Sequence, residues 1–239
     1  MQKTWFITGA NRGLGAQIAK TAIRAGDRVV ATARRREAVI EGLGPDSNQL
    51  LSVGLDVVDG GQARAAVRTA LARFGTIDVL VNNARCGCLG FFEENAIQDT
   101  QAQFTTNLFG VFNLTWAVLP TLRFARTGRI FNISSFGGVP GAELGPLYSA
   151  GKFALECFSQ CLSKEIARFG LSVTIVEPGR EQRNGHHPVA DARLAQAIAN
   201  LVDEAEPPTR FFAGSVGLDP EQVRLADAQA ELAVGAGFP

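Results

Sequence analysis

Residues 4–15 read TWFITGANRGLG. Thr4 to Thr8 are apolar or β-branched and run without a break into Gly9-Ala10-Asn11-Arg12-Gly13-Leu14-Gly15, after which a helical period carries on to Ala25. A short buried strand, a glycine-rich turn and a helix in direct succession make the first part of a parallel βαβ unit. Glycines at 9, 13 and 15 permit a tight turn and a close approach of backbone to ligand, and they leave N–H groups exposed at the positive end of the helix. Gly9, Asn11, Arg12, Gly13, Leu14 and Gly15 therefore read as a cradle for the pyrophosphate of a dinucleotide.

The remaining sequence repeats this alternation. Strands are expected at Thr4 to Thr8, Arg28 to Thr32, Leu50 to Leu55, Val79 to Asn82, Gly128 to Ser134, Ser172 to Glu177 and Arg210 to Ala213. Helices are expected at Gly13 to Ala25, Gly61 to Phe74, Asp99 to Phe124, Ser149 to Phe169 and Asp191 to Asp203. The expected fold is α/β: a Rossmann-like, doubly wound parallel sheet of about seven strands, with helices on both faces and residues 1–239 as a single domain. In the helix Asp99 to Phe124, Leu108, Val111, Phe112, Leu114, Trp116, Val118 and Leu119 cover nearly all sides. A helix apolar all round must be covered on more than its sheet side, which favours self-association as a homodimer or homotetramer over a deep intramolecular core.

Composition narrows the function. Lysine plus arginine equals aspartate plus glutamate at 23 each, so no long-range attraction to nucleic acid or anionic lipid is expected. No export signal is visible in MQKTWFITGA, and the apolar part of Gln98 to Leu122 reads as too short to span a bilayer, so a soluble, cytoplasmic protein is expected. The four cysteines, Cys86, Cys88, Cys157 and Cys161, lack the spacing of a zinc knuckle or redox pair. Cys157 and Cys161 share a helix face and read as core packing. His186-His187 reads as an exposed loop, and no metal is expected.

The second strand leads into Ala33-Arg34-Arg35-Arg36 with no acid before Glu37, where NAD-binding folds place a carboxylate against the ribose hydroxyls. Arg34 presents a planar cation to a 2′-phosphate, with Arg12 on the other side, which favours NADP(H) over NAD. Arg35 and Arg36 fit a solvated charge run better. Tyr148 and Lys152 open a helix at i, i+4 and share one face. A lysine cation there favours the phenolate and moves Tyr148 from an ordinary pKa of about 10 towards useful acid/base chemistry. Ser134-Ser135 closes the preceding strand at the crevice where such folds bind ligands, and either hydroxyl can meet a substrate oxygen.

Taken together, TGANRGLG, LDV at 55–57, NNA at 82–84, Asn107 in TNLFG, NISS at 132–135, YSAGK at 148–152 and EPG at 177–179 resemble the ordered motif set of the short-chain dehydrogenase/reductase family. The resemblance spans Thr4 to Gly179. It implies Tyr148 as general acid/base, Lys152 binding the nicotinamide ribose and lowering the tyrosine pKa, Ser135 orienting the substrate oxygen, and Asn107 holding a water that links Lys152 to solvent. It further implies that Asp56 and Val57 meet the adenine, Asn83 and Ala84 line the adenosine ribose, and Pro178 and Gly179 contact the nicotinamide. The implied activity is hydride transfer between NADP(H) and a small or medium, apolar carbonyl compound or secondary alcohol. Phe91, Phe92, Phe136 and Val139 are candidate pocket walls, with ordinary core as the other reading.

Two departures stand out. Arg85 follows NNA where the family has glycine; a positive φ there would strain it. After Pro178-Gly179, Arg180 to Pro188 contains no Ser or Thr, and Arg180 and Glu181 read as the two sides of a gap of some tens of residues where the family has a substrate lid. Either the lid is deleted, or it exists and the sequence omits it; the second is preferred, since lids are often the least ordered part of an enzyme without ligand. The rival function is a non-catalytic NADP(H)-binding sensor or assembly protein. A nucleic-acid-binding domain has only Arg34 to Arg36 in its favour.

Overall fold

A computed structural model describes residues 2–87, 89–135, 145–178 and 188–213. Its strands are β1 (Thr4–Thr8), β2 (Arg28–Ala33), β3 (Leu50–Gly54), β4 (Val79–Asn82), β5 (Gly128–Ile133), β6 (Leu171–Pro178) and β7 (Arg210–Ala213). Its helices are α1 (Gly13–Arg24), α2 (Arg36–Leu43), α3 (Gly60–Phe74), α4 (Ile97–Phe104), α5 (Gly110–Ala125), α6 (Pro146–Ile166) and α7 (Pro188–Asp203). The seven strands form one parallel sheet in the order β3-β2-β1-β4-β5-β6-β7. The winding reverses between β1 and β4, which opens a crevice at their carboxyl ends.

Successive strand residues face opposite sides of the sheet, so TWFIT fills two cores at once. Trp5 and Ile7 join Ile18, Ala19, Leu194 and Ile198 from α1 and α7 on one face. Phe6 joins Ala66, Val67, Leu114, Val118 and Leu162 from α3, α5 and α6 on the other. Phe6, Ile7, Leu114 and Val118 are wholly buried, each worth roughly 1.5–3 kcal/mol relative to exposure. Local chemistry sets the helix ends. Asp59 caps α3 by accepting from the N–H groups of Gly61 at 2.7 Å and Gln62 at 3.0 Å, and Gly75 ends it at φ 79°.

Several expectations are corrected. The helix expected over Asp99 to Phe124 is α4 and α5 joined by a π-turn at Thr105–Phe109. By length and composition Ile97–Ala125 is long and apolar enough to cross a membrane, against the expectation; Leu114, Val118 and Leu122 nevertheless pack into the sheet core. Cys157 and Cys161 are exposed, not core. The i, i+4 spacing put them on one face, but the buried stripe of α6 is Gly151, Lys152, Leu155, Glu156, Ser159, Leu162 and Ile166. Helix α2 was not expected, because a single residue of it, Val39, is buried and carries no helical period. Arg85 does not have a positive φ: among the described residues Arg126 is the one non-glycine that does. Cys88, Phe136, Val139, Gly179, His186, His187 and the 180–181 junction lie outside the described residues.

Candidate active site

The glycine loop is held open by its neighbours. Gly9 and Gly13 take φ of 64° and 62°, conformations that a side chain would strain. A Cβ on Gly15 would fall 2.4 Å from the Gly9 carbonyl oxygen and 2.5 Å from Asn83 Nδ2, so only glycine lets α1 seat against the turn. Arg12, the residue before α1, makes no side-chain cap. The first-turn N–H groups are thus left without that partner, and with the positive end of α1 they suit a pyrophosphate. Leu14 is half-buried against the α1/α7 core, Asn11 is half-buried and Arg12 exposed.

Below the loop, Thr8 is a junction. Its hydroxyl donates to the Val81 carbonyl at 3.3 Å and accepts from the N–H groups of Asn83 and Ala84, both at 2.9 Å. Asn83 returns the contact by donating to the carbonyls of Thr8 at 2.8 Å and Gly9 at 3.0 Å. The NNA segment and the glycine loop are therefore one hydrogen-bonded unit across the β1/β4 crevice. Asp56 accepts from the Val58 N–H at 3.3 Å, and Val57 is buried where Gly110 of α5 comes close enough to exclude a Cβ.

Arg34 and Arg36 after β2 differ in their surroundings. Arg36 is tied to β3, donating to the Ser52 carbonyl at 3.0 Å and pairing with Asp46 at 2.7 Å. The Arg36 guanidinium and the Ser52 contacts hold Asp46 below its usual carboxylate range, although burial acts against them and is the largest single influence. Arg34 is exposed at the end of β2.

Helix α6 carries Tyr148 and Lys152. Tyr148 is half-buried near its start, and Lys152 one turn later is 2% exposed. The lysine Nζ donates to the Ile133 carbonyl at 2.7 Å and lies 5.8 Å from the centroid of the Tyr148 ring. Burial, followed by the Arg85 guanidinium, lowers its pKa from 10.5 to about 7, against attraction to Glu156 and Cys86. A ladder of side chains fixes α6 on the sheet: Asn82 Nδ2 to Asn132 Oδ1 at 2.8 Å, Asn132 Nδ2 to Ser159 Oγ at 2.8 Å, and Ser159 Oγ to the Leu155 carbonyl at 2.6 Å. Of the paired serines, Ser134 donates to Glu156 at 2.8 Å and so faces the interior, while Ser135 follows it at the end of β5, also buried.

Asn107 is buried on the π-turn, with its amide committed to Cys86 of the segment after β4. Pro178 ends β6 beside β7. The fold thus gathers the glycine loop, Asn83-Ala84, Ser135, Tyr148, Lys152 and Pro178 at the carboxyl edge of the sheet. Phe91 and Phe92 are instead 54% and 68% exposed. The sequence reading overlooked Thr8, Gly42, Glu156 and Arg210. Gly42 is packed so closely on the Asn11 carbonyl that a Cβ would lie 2.3 Å from it. Glu156 was detectable as the continuation of the Tyr148–Lys152 spacing; nothing in sequence joins Arg210 to the site.

Comparison with known proteins agrees with this architecture. The family model described as short chain dehydrogenase matches residues 3–223. The fungal oxidoreductase BOA17 of Botryotinia fuckeliana is 34% identical, with 97% of this chain and 94% of that protein covered. That alignment is 263 positions long against a chain of 239, so some positions of the fungal protein have no counterpart here. A solved short-chain dehydrogenase from Streptomyces avermitilis superposes with a TM-score of 0.89 at 35% identity, covering 100% of this chain and 98% of that one. A metagenomic short-chain oxidoreductase solved in complex with NADP gives 0.78 at 29% identity, covering 88% and 96%.

Proposed function

The chain belongs to the short chain dehydrogenase family of oxidoreductases, and from that premise we propose that it moves a hydride between NADP(H) and a small or medium, apolar carbonyl compound or alcohol. The observation that carries this reading is Tyr148 and Lys152 one turn apart on α6, the lysine buried against β5 beneath the tyrosine ring. When bound, the dinucleotide supplies or accepts the hydride.

The chain's residues do the rest. In reduction the Tyr148 hydroxyl gives its proton to the substrate oxygen, and in oxidation it takes that proton back. The Lys152 ammonium stabilises the phenolate left behind, and Ser135 holds the substrate oxygen in place. Gly9 to Gly15 cradle the pyrophosphate, while Arg34 and Arg12 favour the 2′-phosphate. The solved NADP complex of a relative supports the choice of cofactor.

The test follows NADPH oxidation in the presence of apolar ketones and aldehydes such as cyclohexanone and 4-nitrobenzaldehyde. Measurable turnover that Tyr148→Phe removes, with NADPH binding kept, is expected. NADPH binding without turnover in either protein would overturn the enzyme reading in favour of a non-catalytic sensor.

Self-association through α5 and α6, as a homodimer or homotetramer, is part of the same reading. Trp116 is 70% exposed and meets Phe112, which contacts Phe158 of α6 at 4.5 Å; Phe153 of α6 is 53% exposed. Sedimentation of the wild type should show a multimer that Trp116→Asp weakens; a monomeric wild type would refute it.

A further inference from the structure

Tyr148, Lys152 and Glu156 follow one another at four-residue spacing along a single stripe of α6. The reaction outlined above uses the first two and leaves the third idle. Glu156 is 1% exposed, and a buried carboxylate persists only when it is paired. One of its oxygens accepts from Ser134 at 2.8 Å and the other from Arg210 Nη1 at 3.1 Å. The same Arg210 nitrogen donates to Glu177 at 2.5 Å.

This cluster joins four elements of the site. Ser134 precedes Ser135 on the edge of β5, Glu177 precedes Pro178 on β6, Arg210 opens β7, and Glu156 sits one turn below Lys152. Arg210 pairs with both carboxylates, and Glu156 also acts on Lys152 one turn away along the helix. Among the described residues, the groups facing the Lys152 ammonium are Glu156 and Tyr148 on its own helix, Arg85 and Cys86 from the segment after β4, and the Ile133 carbonyl of β5. Arg85 opposes the charge on Lys152; Glu156 supports it.

We propose that Glu156 is a positioning residue for the reaction: fixed between Ser134 and Arg210, its carboxylate favours the charged form of Lys152 beneath Tyr148 and ties the strand ends bearing Ser135 and Pro178 to α6. Its relevance to turnover rests on the oxidoreductase reading; its electrostatic effect on Lys152 does not. Arg210 carries β7 into the same network.

The experiment reads Lys152 directly. The chain has four lysines, Lys3, Lys20, Lys152 and Lys164, so isotope-labelled lysine gives a spectrum simple enough to follow with pH, the Lys152 signal being assigned through Lys152→Met. In the wild type it is expected to titrate at about 7. Glu156→Gln should move that titration to lower pH, by more than about half a unit. Arg210→Met, which strips the countercharge from Glu156, should move it the other way and provides a second arm should the first variant fold poorly. The alkaline limb of NADPH-dependent turnover of 4-nitrobenzaldehyde should shift in the same direction as the lysine in each variant, with Glu156→Asp closer to wild type than Glu156→Gln. An unmoved Lys152 titration in folded Glu156→Gln would overturn the proposal even if the enzyme is active. A wild type that turns over no carbonyl compound would instead fail the oxidoreductase reading, and the lysine titration would still judge Glu156.

Discussion

Asn107 closes two hydrogen bonds on the backbone of Cys86, accepting from its N–H at 2.9 Å and donating to its carbonyl at 2.8 Å. The π-turn places that amide in the interior, and the segment it grips carries Arg85, whose charge acts on Lys152. Asn107→Ala removes both bonds. It should cost about 1–3 kcal/mol of stability and lower turnover at least tenfold, an effect measured by urea unfolding alongside steady-state rates. Asn107→Asp keeps the acceptor but sets a carboxylate oxygen against the buried Cys86 carbonyl, so it should be no more stable than Asn107→Ala. Equal stability of all three proteins would show that the contact holds nothing.

Gly15→Ala tests the cradle. Its Cβ would meet the Gly9 carbonyl oxygen at 2.4 Å, a backbone atom that cannot step aside without moving the loop. The variant should bind NADPH at least tenfold more weakly by fluorescence titration and lose stability on the scale of an overpacked core, about 1–3 kcal/mol. Gly26→Ala, where a Cβ meets nothing within 4 Å but φ is 90°, is the control that carries only backbone strain; its NADPH affinity should stay at the wild-type level.

Arg34 and Arg36 should behave differently on substitution. Arg34→Ser removes an exposed cation and is expected to raise the KM for NADPH about tenfold while leaving that for NADH nearly unchanged. Arg36→Ser breaks the Asp46 and Ser52 contacts instead, so it should lower stability with little change in cofactor preference. Steady-state kinetics with both dinucleotides, set beside thermal melts, separates the two outcomes.

Lys152 makes stability depend on pH. Burial, with Arg85, brings its folded-state pKa to about 7 from 10.5. Between these values the unfolded chain holds a proton that the folded chain has released, so stability from this group is full above 10.5 and is lost as pH falls towards 7. The slope in that window is at most about 1.4 kcal/mol per pH unit. Urea unfolding of wild type and Lys152→Met, without cofactor, at pH 6, 8 and 9.5 checks it: the stability difference in favour of the wild type should grow with pH. A flat difference would mean that the lysine stays charged in the fold.

The 180–181 junction is tested by the intact mass of the chain. A mass near 25.4 kDa means the lid is deleted, and an open site with poor substrate selectivity should follow. An excess of a few kilodaltons, mapped between Arg180 and Glu181, means that the lid exists.

The fold was legible because its signals are local. TWFIT, the glycines after it and the helical period beyond Gly13 lie within some twenty residues, and their steric demands do not depend on the rest of the chain. β1, β4 and β7 match their expected bounds, and Tyr148 and Lys152 were paired by helix geometry alone. What a helix turns inward was not legible from spacing. Cys157 and Cys161 share a face, but only the docking of α6 on β5, through Asn132 and Ser159, decides that this face is the outer one. Partners distant in sequence were likewise hidden: Arg210 reaches Glu156 across 54 residues and Asn107 reaches Cys86 across 21. Local sequence determined the strands, the cradle and the tyrosine–lysine pair, because backbone sterics and helical period act over a few residues. Only the tertiary structure decided which charges share the buried interior with Lys152, because desolvation and Coulomb attraction depend on what the sheet order brings together.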